Sequence, residues 1–162
     1  MSHIEHRKKA GGPVHCAVIT VSDSRTEATD AGGRLIKEML AAAGHSVMHY
    51  QIIKDEPAQI TAVVESMLTS EQCQAMIFTG GTGISKRDRT FDVLDGVWEK
   101  RILGFGEMFR YLSYQEIGSA AMLSRAGAGV VRGKIVISLS GSPGAVRLGL
   151  EKLILPELAH MV

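Results

Sequence analysis

The stretch Thr79-Gly80-Gly81-Thr82-Gly83-Ile84-Ser85-Lys86-Arg87-Asp88 gathers residue types that bind phosphate. Its closely spaced glycines let the backbone turn tightly and bring N–H groups near a bound group. Thr79 and Thr82 add hydroxyl donors, and Lys86 and Arg87 add positive charge. Set between the apolar run Ala75-Met76-Ile77-Phe78 and a segment that can be helical, these donors suit an anion cradle. An ordinary tight turn would use the same glycines. Asp88 does not belong in a pure anion site, and a metal ion would explain it. Asp55 is the second carboxylate of interest. Alone, Asp55 reads as an N-cap for a helix starting at Pro57, and Asp88 as a cap or ion-pair partner. Together, beside a phosphate cradle, they repel unless a cation lies between them, and Mg²⁺ with ATP is the usual solution.

Two familiar phosphate motifs do not fit. The pattern GxxxxGK[ST] begun at Gly80 meets Ser85 and Arg87 where Gly and Ser or Thr are required. The dinucleotide pattern GxGxxG begun at Gly81 meets Lys86 in place of its last glycine, and it belongs after a first strand. Neither a P-loop NTPase nor a Rossmann dehydrogenase is supported.

The elements that must position these residues follow from periodicity. The apolar, β-rich run over 14–21 predicts a strand covered on both faces, ending in the polar loop Ser22-Asp23-Ser24-Arg25. Thr29 or Asp30 can cap a helix whose apolar side carries Leu35, Ile36, Met39, Leu40 and Ala43, with Gly44 as its stop. A strand is predicted over 46–53, and a helix from Pro57 with Ile60, Val63, Val64, Met67 and Leu68 inward. A third strand enters the glycine loop. Beyond it the pattern predicts a short helix over 92–98, a turn at Gly104-Phe105-Gly106-Glu107 and a short helix within 102–113, a helix over 117–125, and strands over 128–131 and 134–139. Ser140-Gly141-Ser142-Pro143-Gly144 then opens a last helix, and Ser142-Pro143 reads equally as a helix start or a ligand contact. The alternation implies an α/β protein with a mostly parallel sheet between helices. The loops at Ser22, Lys54, Thr79 and Ser140 each follow a strand, so they should share one rim, where open α/β sheets bind ligands.

Composition narrows the classes. At 162 residues, 45% hydrophobic and 22% charged, the chain fits one globular domain over 14–162 behind a polar, basic tail over 1–13, read as a solvated arm. A net charge of +1 gives no reason to expect nucleic acid or a membrane surface as partner. No run is long enough to span a bilayer and no signal-peptide pattern opens the chain, so a cytoplasmic protein is expected. Cys16 and Cys73 form no CxxC pair and read as buried free thiols. The histidines are scattered, His3 and His6 lying in the tail, and no zinc motif occurs.

The loop Thr79 to Gly83 followed by Arg87-Asp88, with Asp55-Glu56-Pro57 upstream, resembles the MoaB/Mog family of molybdenum-cofactor biosynthesis. So do Phe105-Gly106-Glu107-Met108-Phe109-Arg110, Ile117-Gly118, Leu123-Ser124-Arg125-Ala126 and Ser140-Gly141-Ser142-Pro143-Gly144-Ala145. These segments run in the family's order over nearly the whole chain, and the Gly-Glu-Met-Phe-Arg type segment is closer to the MoaB branch.

The resemblance implies a three-layer α/β/α molybdopterin-binding fold assembled as trimers or hexamers, working alongside other enzymes of the pathway. It implies a molybdopterin adenylyltransferase, joining the terminal phosphate of molybdopterin to AMP from Mg-ATP with release of pyrophosphate. Asp55 and Asp88 match the acidic positions tied to catalysis and to the metal–nucleotide. The segment Thr79-Gly80-Gly81-Thr82-Gly83 matches the one associated with the pterin's phosphate, and Ser124 a serine lining the site. Ser22, Asp23, Arg125, Ser140, Gly141, Ser142 and Pro143 are further candidates for substrate contact. Some MoaB-type members lack the first acidic residue and are read as inactive; Asp55, Glu56 and Pro57 are all present here. Phe91-Asp92 and the basic Lys86-Arg87 pair depart from relatives, which often carry Pro-Glu after the threonine. The alternatives are a non-catalytic molybdopterin-binding or carrier protein of the same fold, and a scaffold.

Overall fold

The computed structural model describes Ser2, Ile4, Glu5 and residues 11–162. Of the tail expected over 1–13, including His3 and His6, the remaining residues lie outside the described residues.

β1 (His15–Val21), β2 (Ser46–Ile53) and β3 (Ala75–Thr79) alternate with α1 (Ala31–Ala42) and α2 (Pro57–Thr69). Then come α3 (Thr90–Val97), β4 (Lys100–Arg101), α4 (Leu103–Ile117), a 3₁₀ segment (Gly118–Leu123), β5 (Gly127–Val131) and β6 (Lys134–Leu139). α5 (Pro143–Gly149), a π-helical turn (Leu150–Ile154) and α6 (Leu155–Met161) close the chain. Among the described residues the strands form one sheet in the order β2-β1-β3-β6-β5-β4. The pairs β2–β1, β1–β3 and β3–β6 are parallel, while β5 returns antiparallel beside β6 and carries β4. The sheet is thus mostly parallel, as expected.

Two apolar layers cover its faces. Val18, Ile77 and Ile137 meet Ile36 and Leu40 of α1, Phe109 of α4 and Val146 of α5 on one side. Ile19, Met76 and Val136 meet Ile60 and Val64 of α2 and Leu94 of α3 on the other. Cys16 belongs to the first layer and Cys73 to the second; both are buried free thiols. Burial pushes the Cys16 thiol up to about 12.

Local signals act as read. Asp30 caps α1 by accepting from the Gly33 N–H at 3.0 Å. Gly44 follows that helix at φ +84, a left-handed geometry suited to glycine. Pro57 begins α2, where a missing N–H costs nothing. Register then builds the rim. Thr20 pairs with Thr79, Val21 with Ile53 and Thr79 with Leu139, so the four parallel strands end in line.

The middle of the chain differs from the periodicity. α3 starts two residues early, at Thr90, and the two-residue β4 carries no pattern of its own. Residues 103–117 form one helix rather than a turn and a short helix. Gly104 and Gly106 suggested the turn, but Gly106 serves packing: a Cβ there would lie 2.7 Å from the Ala126 carbonyl oxygen. Residues 118–123 are 3₁₀ rather than α-helical, after Gly118 at φ +73 breaks the run. The last helix slackens into its π turn just before Pro156, which offers no N–H to the preceding turn.

Candidate active site

The strand ends bring the four polar loops together. Thr79 Oγ1 donates to the Ser140 carbonyl at 3.1 Å, and the Gly80 N–H donates to the Leu139 carbonyl at 2.9 Å. A Cβ on Gly141 would stand 3.4 Å from the Gly80 Cα, so the β3 and β6 loops touch. Ser22 donates its N–H to the Ile53 carbonyl, joining the β1 and β2 loops. The juxtaposition expected of a parallel sheet is present.

Asp55 follows β2, the edge strand of the sheet, and is only 6% exposed. It does not cap α2: the N-cap position is Glu56, whose side chain makes no capping bond. The Asp55 carboxylate reaches instead across to the β3 loop. It accepts from the Arg89 N–H at 3.2 and 3.3 Å and from Thr90 Oγ1 at 3.1 Å. Gly81 (φ +66) crosses directly above it, where any Cβ would collide with Thr90 Oγ1 and Asp55 Oδ2. Burial raises the Asp55 carboxyl above the ordinary carboxylate range; the two donors oppose this and the Asp88 charge adds to it.

Asp88 is tied within its own turn. Its Oδ2 accepts from the Ser85 N–H at 3.0 Å and the Ser85 hydroxyl at 2.6 Å, the local capping role that its position alone suggested. Its Oδ1 carries no hydrogen bond among the described residues. Asp23, at the β1 end, takes Arg87 in a bidentate pair at 2.7 and 2.8 Å. The hydrogen bonds from Arg87 hold the Asp23 carboxyl down at about 2. Arg87 also donates to Glu56 at 2.6 Å, so one guanidinium fastens the loops after β1, β2 and β3.

The glycine loop divides in two. Thr79 and Gly80 spend their donors on the sheet end and offer none to a ligand. The N–H groups of Gly81, Thr82 and Gly83 make no hydrogen bond among the described residues, and these can receive an anion. Beside them lies a cavity of about 240 Å³ whose walls include Thr82, Gly83, Ser124, Ser140 and Ser142. Ser124 Oγ is buried there without a partner, and an orphaned hydroxyl at a cavity wall suits a polar ligand. Ser142 caps α5, accepting the Ala145 N–H, and Pro143 is the first residue of that helix. Arg125 does not stand as a bare cation. It donates to the Gly83 and Asp88 carbonyls and pairs with Asp92 at 2.7 Å.

Thr90, Glu56 and Asp92 were not candidates from sequence. Thr90 carried a weak signal, a hydroxyl two residues past Asp88 and just ahead of the predicted helix; the other two are ordinary acidic surface residues until the fold sets Arg87 and Arg125 against them. Among the described residues no three Asp, Glu, His or Cys side chains converge as a metal cage. Asp55 and Asp88, with hard oxygens and mutual repulsion, do fit Mg²⁺, which is normally held by one or two carboxylates together with substrate phosphates.

A family model described as a probable molybdopterin binding domain matches residues 17–160. Molybdenum cofactor biosynthesis protein B of Bacillus cereus is 48% identical over 162 residues, covering 99% of this chain and 96% of that protein. The crystal structure of a molybdenum cofactor biosynthesis protein B superposes with a TM-score of 0.90 at 48% identity, covering 93% of this chain and 94% of the other. MoaB from Pyrococcus furiosus, described as a tungsten cofactor synthesizing protein, superposes with a TM-score of 0.84 at 36% identity over 93% and 95% of the two chains. The shared fold and near full-length identity mean that this chain belongs to the molybdopterin-binding domain family, on its MoaB branch.

Proposed function

We propose that, within molybdenum cofactor biosynthesis, the role its family membership supports, this chain adenylylates molybdopterin. The observation that carries the reading is Asp55, a buried carboxylate fixed by two donors directly beneath the glycine of an anion-binding loop. A binding protein needs the loop and the cavity but has no use for a buried charge there, which burial disfavours.

A phosphate monoester is already anionic near neutral pH, so its attack needs little help from a general base. The barrier lies in bringing it in line with an equally anionic triphosphate. The N–H groups of Gly81 to Gly83 hold the terminal phosphate of molybdopterin, and the adjoining cavity with Ser124 takes the body of the pterin. An oxygen of that phosphate bonds to the α-phosphorus of ATP. The bond from the α-phosphorus to the bridging oxygen breaks, and pyrophosphate leaves with the electron pair. Mg²⁺ held by Asp55 and Asp88 would neutralise charge on the triphosphate. Lys86 and Arg89, which line one cavity with Asp88 and whose side chains make no ion pair among the described residues, are cations that can face the leaving pyrophosphate, whereas Arg87 and Arg125 are engaged. No histidine or cysteine enters the reaction.

The test is incubation with molybdopterin, ATP and Mg²⁺, with adenylylated pterin and pyrophosphate expected in equal amounts. Folded protein that binds molybdopterin and forms neither product would be a carrier instead.

A further inference from the structure

We propose that Arg125 is a positioning residue, whose single guanidinium orients three peptide groups of the glycine loop so that one face donates to the acceptor phosphate and another to Asp55. Resting on the adenylyl-transfer reading for its substrate, the proposal gives Arg125 a different part from that of an anion-binding cation.

In a planar trans peptide the C=O of one residue points opposite to the N–H of the next. There are no cis peptide bonds among the described residues. Arg125 Nε donates to the Gly83 carbonyl at 3.0 Å and, longer, to the Thr82 carbonyl at 3.4 Å. The backbone N–H of Arg125 also donates to the Thr82 carbonyl, at 3.1 Å. Nη2 donates to the Asp88 carbonyl at 3.0 Å.

With those oxygens drawn toward Arg125, the N–H groups of Gly83, Ile84 and Arg89 must face the other way. Gly83 and Ile84 then have donors with no acceptor among the described residues. The Arg89 N–H is the one that donates to both oxygens of Asp55. One side chain therefore orients the Gly83 end of the anion cradle and the donor to the acidic group together.

The guanidinium is itself held. Asp92, in the first turn of α3, takes it at 2.7 and 3.2 Å, and the Phe91 ring lies 5.4 Å away. A planar fork of several donors can bridge three carbonyls and a carboxylate at once, whereas a lysine ammonium is a point charge on a flexible stem. The two parts make opposite predictions for Asp92. If Arg125 bound anions directly, releasing it from Asp92 would strengthen binding. If it holds peptides in place, releasing it loosens the cradle.

The test compares wild type, Arg125→Lys and Asp92→Asn as full chains with inorganic phosphate as probe, following backbone amide resonances. Positioning predicts that Arg125→Lys, with its charge kept, binds phosphate about tenfold more weakly, the scale of losing hydrogen bonds from a charged donor. It predicts weaker binding in Asp92→Asn as well. It also predicts that the Arg89 amide resonance moves in Arg125→Lys before any phosphate is added, while the Gly80 amide, bonded to Leu139, stays. Guanidinium added to Arg125→Ala should return the Arg89 resonance toward its wild-type position. Wild-type phosphate affinity in Arg125→Lys, tighter binding in Asp92→Asn, or an unmoved Arg89 resonance would each overturn the proposal. Should wild type bind no phosphate, the Arg89 resonance alone decides. None of these readouts requires turnover, so a failure of adenylyl transfer would leave them standing.

Discussion

A Cβ placed on Gly81 would stand 2.6 Å from Oδ2 of Asp55, so the loop can cross the carboxylate only because that residue is glycine. Gly81→Ala should therefore do two things. A side chain at φ +66 costs about 1–3 kcal/mol of stability. The new methyl, within 2.2 Å of Thr90 Oγ1, must also push apart the hydroxyl and the carboxylate it holds, so turnover should fall by more than the loss of folded protein explains. Gly133→Ala is the control. Its φ is +76 but nothing lies within 4 Å of the added Cβ, so it should lose stability and keep activity per folded molecule.

Asp55→Asn should abolish adenylylation while leaving the fold intact. The amide keeps an oxygen for the Arg89 and Thr90 donors but loses the charge that a metal–nucleotide requires, a change on the order of a thousandfold in rate. Stability should move the other way. Because burial raises the Asp55 carboxyl in the folded protein, its contribution is fully present below the unfolded value and is lost as pH rises through the folded one. Near neutral pH the buried charge is a burden, so Asp55→Asn should melt higher than wild type there, with the gap closing toward acid. Thermal melts across pH check the sign, and full activity in this variant would sink the mechanism.

Arg87 fastens three loops but does so in the open, its side chain 50% exposed. Exposed ion pairs add little stability. Arg87→Gln should therefore melt only slightly below wild type near neutral pH, yet it leaves Asp23 and Glu56 uncompensated beside the proposed triphosphate site. The KM for Mg-ATP should rise more than that for molybdopterin. Acid behaviour gives a second readout. The Asp23 carboxyl is held at about 2, below its ordinary value of 3.8, so its contribution is present above that ordinary value and lost as pH falls toward the folded one. Wild type should lose this contribution between those limits, so the small gap to Arg87→Gln at neutral pH should close there.

The rim was legible in the sequence because its signals are local. An apolar run followed by a polar or glycine-rich loop and then a helix, repeated along the chain, reads as strand ends of a parallel sheet, and Asp55, Gly81 and Ser140 fall there. What the sequence does not carry is partner choice across distance. Asp55 beside Pro57 looks like a cap, and only the crossing of the β3 loop gives it Arg89 and Thr90 instead. Arg87 and Arg125 read as available cations because their carboxylate partners lie 64, 31 and 33 residues away in sequence. Gly106 misled for a related reason: its small size answers to the Ala126 carbonyl packed against it, not to a turn.

α4 is apolar on more than one side. Phe105 and Phe109 face the core, yet Met108, Tyr111 and Tyr114 on its other sides are exposed, and Met122 in the following 3₁₀ segment is 75% exposed. A helix apolar on more than one side is normally covered, and large apolar patches on soluble chains mark contact surfaces. A second copy of this chain as the covering partner fits the trimer or hexamer that the family resemblance implies. Light scattering should give a mass that is a multiple of 17.4 kDa. Tyr114→Glu and Met122→Glu together should shift that mass toward the single chain, since a buried carboxylate without a partner is costly at an interface. The glycine loop and Asp55 are built wholly within one chain, so the dissociated variant should retain its affinity for inorganic phosphate. A wild type that scatters as a single chain at every concentration would leave these side chains uncovered and remove the assembly from this reading.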